Sequence, residues 1–268
     1  MKHDMFFRKH PVFTKDELAG YLSDRGEVGK RGQEALLAYH QKAGRIVRIR
    51  RGLYAVIPVD ADADSYPVDP FLVAAKMTSD ATLSHHTALE FHGRSYSVQH
   101  SFTYSASRPL SPLTFRTQVF RGTTFPRALL SAGKKHYGVS TMEHAGMEVR
   151  VTTLERTLVD VLHRPDLSGS WEEIWRSLES VEFFDLDKVV EYVHLLGNAT
   201  TGAKVGFFLE QHREFLMVED HYLKILQELR PRQPHYLERS KRESGRLVTK
   251  WNLVVSPEII ERTWEEIL

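Results

Sequence analysis

Thr14-Lys15-Asp16-Glu17-Leu18-Ala19-Gly20-Tyr21-Leu22-Ser23, then Lys30-Arg31-Gly32-Gln33-Glu34-Ala35-Leu36-Leu37 running on to Gly44, then Arg45-Ile46-Val47-Arg48-Ile49-Arg50-Arg51-Gly52-Leu53-Tyr54-Ala55-Val56-Ile57, form one continuous pattern. Thr14 and Glu17 have the spacing of a capping box, in which hydroxyl and carboxylate each bond the other residue's free backbone N–H. A short helix follows, with Leu18, Tyr21 and Leu22 on its apolar face. A second periodic run starts near Lys30, turns Leu36, Leu37, His40 and Ala43 inward, and stops at Gly44. Beyond it, β-branched and aromatic residues are broken once, at Arg50-Arg51-Gly52, where glycine supplies the positive φ of a tight hairpin. The spacing predicts helix, turn, helix and a hairpin with arginines at its tip, the outline of a winged helix-turn-helix.

Charge points the same way. Through Ile57, twelve Lys or Arg meet six Asp or Glu, a net of +6; the whole chain is +1, so the remainder is −5. A basic head on an acidic remainder suits a protein whose head alone approaches a polyanion. Recognition helices present their N-terminal residues to base edges, while helix starts and wings hold phosphates. Arg31 and Gln33 are therefore the expected base readers, with Lys30, Arg45, Arg48, Arg50 and Arg51 on the backbone of double-stranded DNA.

Working outward, 268 residues suffice for two ordinary domains. The expected division is a head over 1–59, a linker over the acidic, proline-bounded residues 60–69, and an α+β domain over 70–268. Met5-Phe6-Phe7 reads as part of a first helix packed on the helix pair. The chain has no cysteine, which removes thiolate metal sites, disulfides and cysteine nucleophiles. It shows no signal-peptide pattern and no apolar run long enough to span a bilayer, so a cytoplasmic protein without membrane contact is expected. Asp60, Asp62 and Asp64 alternate as in a calcium loop but lack its central glycine and terminal glutamate.

The remainder reads as strands first and helices after. Helices are expected over Pro70–Lys76 and from a Ser84 cap through His92, and strands over Ser101–Ser105, Leu113–Phe120 and Met147–Thr152. Further helices carry Leu154 to Leu162, Trp171 to Leu178, Leu186 to Leu196, Val205 to His212 and Tyr222 to Leu229. His85, His86, Glu90 and His92 crowd one helix but lack zincin spacing. No metal site, cofactor or catalytic residue is expected. The end turns basic again, with Arg239, Lys241, Arg242 and Arg246 as a second patch around a Ser244-Gly245 turn, and with Pro257 opening a last helix.

Arg51-Gly52-Leu53-Tyr54, Thr82-Leu83-Ser84-His85-His86-Thr87-Ala88-Leu89-Glu90-Phe91-His92-Gly93, Val151-Thr152-Thr153-Leu154-Glu155-Arg156-Thr157-Leu158-Val159-Asp160 and Gly202 to Glu210 stand in an order that resembles the AbiEi family, transcriptional regulators and antitoxins of phage-defence toxin-antitoxin modules. The resemblance spans most of the chain. It implies a head that represses its own operon at an inverted repeat, which favours a homodimer on DNA, and a body that counteracts a nucleotidyltransferase toxin without needing to touch it. The competing readings are a metal-dependent nuclease, for which Glu243 and Lys250 lack a neighbouring aspartate, and a regulator or adaptor without antitoxin activity.

Overall fold

Thr14 closes the box that its spacing to Glu17 predicts: the Thr14 hydroxyl accepts from the Glu17 N–H at 3.2 Å, and Glu17 Oε2 accepts from the Thr14 N–H at 2.7 Å. In this computed structural model, which describes residues 4–26, 30–238 and 245–263, that cap sits in the series α1 (Asp4–Lys9), β1 (Val12–Thr14), α2 (Lys15–Ser23), α3 (Lys30–Lys42), β2 (Ile46–Arg50) and β3 (Leu53–Val56). The three strands form an antiparallel sheet in the order β1-β3-β2. Gly52, at φ +83°, turns the hairpin at the expected place. Phe6, Phe7, Phe13, Leu18, Leu22, Leu37, Ile46 and Tyr54 make one apolar core, so the first helix packs as its sequence suggests. Ala43 departs from expectation: it lies beyond the last turn of α3 and is exposed.

The chain continues through α4 (Pro70–Ala75), β4 (Thr82–Leu83), α5 (His86–Phe91), β5 (Ser101–Ala106), β6 (Leu113–Phe115), β7 (Gln118–Thr124), α6 (Arg127–Ser131), β8 (Val139–His144) and β9 (Met147–Thr152). Its strands form a six-stranded sheet in the order β6-β7-β5-β4-β9-β8. The single strand expected over Leu113–Phe120 is a hairpin, because Arg116 adopts φ +56° and reverses the chain. Ser84 is not a cap. Its hydroxyl bonds the His85 ring at 3.0 Å, and α5 starts one residue later behind His85, which holds φ +58°.

Helices then dominate: α7 (Leu154–His163), α8 (Trp171–Glu179), α9 (Leu186–Leu196), α10 (Ala199–Gln211) and α11 (Asp220–Glu228), followed by β10 (His235–Tyr236), β11 (Arg246–Val248), β12 (Leu253–Val255) and α12 (Pro257–Glu261). Side-chain caps start α7, α8, α9 and α10, from Thr153, Ser170, Asp185 and Asn198. Gly206 on α10 leaves room for the Trp251 ring, which any Cβ there would strike. The C-terminal hairpin turns at residues 249–252, not at Gly245, and Asn252 takes φ +48° to close it.

Contacts divide the chain into two compact units: residues 1–83, 100–122 and 141–150 form one, and residues 84–99, 123–140 and 151–268 the other. The first unit holds the N-terminal elements and most of the six-stranded sheet. In it Asp69 caps α4, accepting from the Phe71 and Leu72 N–H groups at 2.9 and 3.2 Å, so the segment expected as linker ends in ordered structure. The second unit holds the main apolar core, built from α7 to α11 around Trp175, Phe208 and Trp251. The chain is α+β, and no described helix is long and apolar enough to cross a membrane.

Candidate nucleic-acid interface

The residues expected to contact DNA lie on α3 and around the β2–β3 hairpin. At 100° per residue, Gln33, Leu37 and His40 fall on one side of α3 and are buried. On the opposite side lie Arg31, Ala35, Ala38, Tyr39 and Lys42, all exposed. Tyr39 is 65% exposed. Arg48 and Arg51 are exposed on the hairpin. Among the described residues, Arg31, Lys42, Arg48 and Arg51 have no hydrogen-bond or ion-pair partner. Lys30 is the first residue of α3.

Three of the residues assigned to DNA are committed elsewhere. Gln33 is 4% exposed, and its amide donates to the Lys15 carbonyl at 2.6 Å, tying α3 to the start of α2. Its helical position faces the core and not solvent, which is not where the expected base reader would stand. Arg45, the residue before β2, pairs with Asp4 at 3.2 Å and ties the entry to the hairpin to α1. Arg50 donates to the Met77 carbonyl at 3.2 Å and is half-buried. Sequence periodicity missed Tyr39 and Lys42, although they lie about two and three turns along the face that starts at Arg31.

The second basic patch divides. Arg239, Lys241 and Arg242 lie outside the described residues, as does Glu243, while Arg246 is exposed and paired with Glu261 at 2.9 Å. Lys250 bonds Glu210, which also accepts from the Trp251 indole at 2.6 Å, so Lys250 serves the packing of α10. The histidines do not converge. His86 bonds Glu173 at 3.0 Å, His92 bonds the Thr152 carbonyl at 2.8 Å, and His85 bonds Ser84. Among the described residues no three His, Asp or Glu side chains are grouped as metal ligands.

Electrostatics around α2 are mixed. Burial alone would raise the Glu17 carboxyl, but bonds from Lys76 and from the Thr14 N–H outweigh it and hold the group below the usual carboxylate range. Glu17 is thus an anion fixed in the first turn of α2, where the helix dipole favours it.

Among solved structures, the chain is similar to the crystal structure of RV2827C protein from Mycobacterium tuberculosis, with a TM-score of 0.61 and 15% identity over 95% of this chain and 89% of that one. At that identity the likeness speaks for the fold alone. No family model matches the chain, and no curated protein does.

Proposed function

We propose that residues 1–59 are a winged helix-turn-helix that binds double-stranded operator DNA, and that the chain is a transcriptional regulator. The observation that carries this reading is the stripe of Arg31, Ala35, Ala38, Tyr39 and Lys42 on α3, exposed opposite a closed core, beside two unpartnered hairpin arginines. A helix of this kind fits a major groove about 12 Å wide. Ala35 and Ala38 let the helix approach the base edges, Arg31 supplies a bidentate donor for guanine, and Tyr39 offers a ring to a thymine methyl. Arg48 and Arg51 then reach phosphates from the wing. The helix, strand, helix, helix and hairpin order, with strand order β1-β3-β2, supports the winged assignment.

The resemblance to AbiEi regulators extends the proposal to an antitoxin that represses its own operon as a dimer at an inverted repeat and opposes a nucleotidyltransferase toxin. The second unit, with its separate helical core, is the part left for that task. The test is a gel-shift on the DNA upstream of the protein's own gene, with salt varied. Neutralising two phosphates per chain, one by each hairpin arginine, predicts a slope of log K against log salt of about −2 per bound chain. No retention at low salt sinks the DNA reading. If retention occurs but co-expression with the adjacent gene rescues no growth, the regulator stands and the antitoxin does not.

A further inference from the structure

A groove of about 990 Å³ opens in the first unit. Arg48, Arg51, Leu37, Ala38, Met77, Thr141 and Arg150 are among the residues that line it. Its volume is at the upper end of the roughly 300–1,000 Å³ of small-molecule sites. Six cations and four carboxylates line it, but they do not cancel evenly. Glu17 is neutralised by Lys76, and Glu34 by Lys15 at 3.1 Å. That leaves Arg48, Arg50, Arg51 and Arg150 against Asp16 and Glu148.

Two of those arginines are held in place without being neutralised. Arg50 donates to the Met77 carbonyl at 3.2 Å, and Arg150 donates from Nε to the Ala81 carbonyl at 3.2 Å and from Nη2 to the Ser79 carbonyl. A carbonyl fixes a guanidinium and leaves its full charge, so the lining carries preorganised positive charge at little entropic cost to a ligand. Arg48 and Arg51 add two unpartnered guanidiniums. Hydroxyls of Ser79 and Thr141 supply further donors, and Leu37, Ala38 and Leu53 an apolar part for an organic body.

We infer that this groove binds a small phosphorylated molecule of about nucleotide size. Its phosphoryl oxygens take the guanidiniums that, on the reading proposed above, also hold duplex phosphates, so ligand and operator compete for Arg48 and Arg51. By linkage, each weakens the other's binding by the same factor.

The test uses the full chain with ATP, inorganic pyrophosphate and, at matched ionic strength, sodium sulfate, read by thermal shift and calorimetric titration. ATP and pyrophosphate are expected to raise Tm saturably where sulfate does not. Thr141→Trp, at an exposed position of edge strand β8, is expected to lose at least tenfold in ATP affinity while retaining duplex. Should that bulky replacement prevent folding, Thr141→Asp puts a carboxylate in the groove and is expected to lose ATP binding likewise. Equal effects of sulfate and ATP, or ATP binding unchanged in both Thr141 variants, overturn the site. ATP bound without displacing a labelled operator duplex overturns the competition alone. If no duplex is retained under any condition, the DNA reading fails, and the ATP titration still decides the groove.

Discussion

Arg48 and Arg51 stand on the β2–β3 hairpin, exposed and unpartnered among the described residues, whereas Arg156 on α7 is 1% exposed and engaged on nearly every side. Its Nε donates to Asp160 at 3.2 Å, and one Nη donates to the carbonyls of Lys135 and Tyr137 at 3.1 and 2.7 Å. Tyr192 completes the set by donating to the other Asp160 oxygen at 2.6 Å, with its ring 5.5 Å from the guanidinium. One residue type thus does two jobs. Where the protein encloses a guanidinium it supplies every counter-charge itself; where it leaves one uncompensated, the counter-charge must come from outside.

The sharpest way to break that contrast is at Arg156. Arg156→Met leaves the Asp160 carboxylate buried with its cation gone, which is expected to cost about 3–5 kcal/mol. Urea unfolding read by tryptophan fluorescence measures it. Pairing the change with Asp160→Leu should recover part of the loss, since an apolar pair of similar volume needs no counter-charge. A loss under about 1 kcal/mol in the single variant would mean that the enclosed network does not bear on stability.

Acid should distinguish the second unit too. Burial pushes the His85 imidazole down to about 4, with Asp160 opposing and Arg164, Arg156 and His163 adding to the fall. Burial also lowers His86 and His163. A histidine whose folded pKa lies below its unfolded value near 6.5 binds its proton more tightly when unfolded. Its stabilising contribution is full above that value and falls as pH drops toward 4. For His85 the loss is on the order of 3 kcal/mol. Stability measured between pH 7 and 4.5 should decline, and His85→Gln should flatten the decline; an unchanged slope in that variant refutes the assignment. Carboxylates held low, such as Glu179 beside His212, act further down, because their contribution is lost only as pH falls through their folded values.

Gln33 sits between the two classes and tests where the line falls. Gln33→Ala removes the donor to the Lys15 carbonyl and is expected to cost about 1–3 kcal/mol without changing base preference. Tyr39→Ala should do the reverse, leaving stability within about 0.5 kcal/mol and relaxing preference at one operator position. Selection of bound sequences from a random pool reads both. If Gln33→Ala shifts preference and Tyr39→Ala does not, the exposed stripe is the wrong face.

What could be read in the sequence follows from the range of each interaction. The capping box at Thr14 and Glu17, the Gly52 turn and the helices α7, α8, α9 and α11 are local, set by spacing and periodicity, and the sequence predicts them, whereas α10, expected from Val205, starts at Ala199 behind an Asn198 cap. Ser84 and Leu113–Phe120 failed because positive φ at His85 and Arg116 is carried by residues that seldom adopt it. β4 and β8 owe their existence to pairing across the six-stranded sheet, and so have little signature of their own. At the candidate interface, type and position identified the arginines but not their partners. Arg45 finds Asp4 across 41 residues, and Arg50 finds Met77 across 27. Such long-range bonds decide whether an arginine is neutralised, as Arg45 is by Asp4, or held in place with its charge intact, as Arg50 is by a carbonyl, and no window of sequence contains both ends.

The smallest expected effect is the most discriminating. The side chains of Arg31, Arg48 and Arg51 make no hydrogen bond or ion pair among the described residues, so each change to alanine should leave stability within about 0.5 kcal/mol. Each should nonetheless lower duplex affinity, and the two hairpin changes should reduce the salt slope by about 1 apiece across all sequences. Arg31→Ala is different, since a base contact on α3 is worth about 1–3 kcal/mol at one position only. Measuring unfolding and the salt dependence of duplex binding on the same three variants separates these outcomes. Were Arg48→Ala or Arg51→Ala to destabilise the chain and leave the slope untouched, those guanidiniums would belong with Arg156, and the distinction between enclosed and available charge would fail at the hairpin.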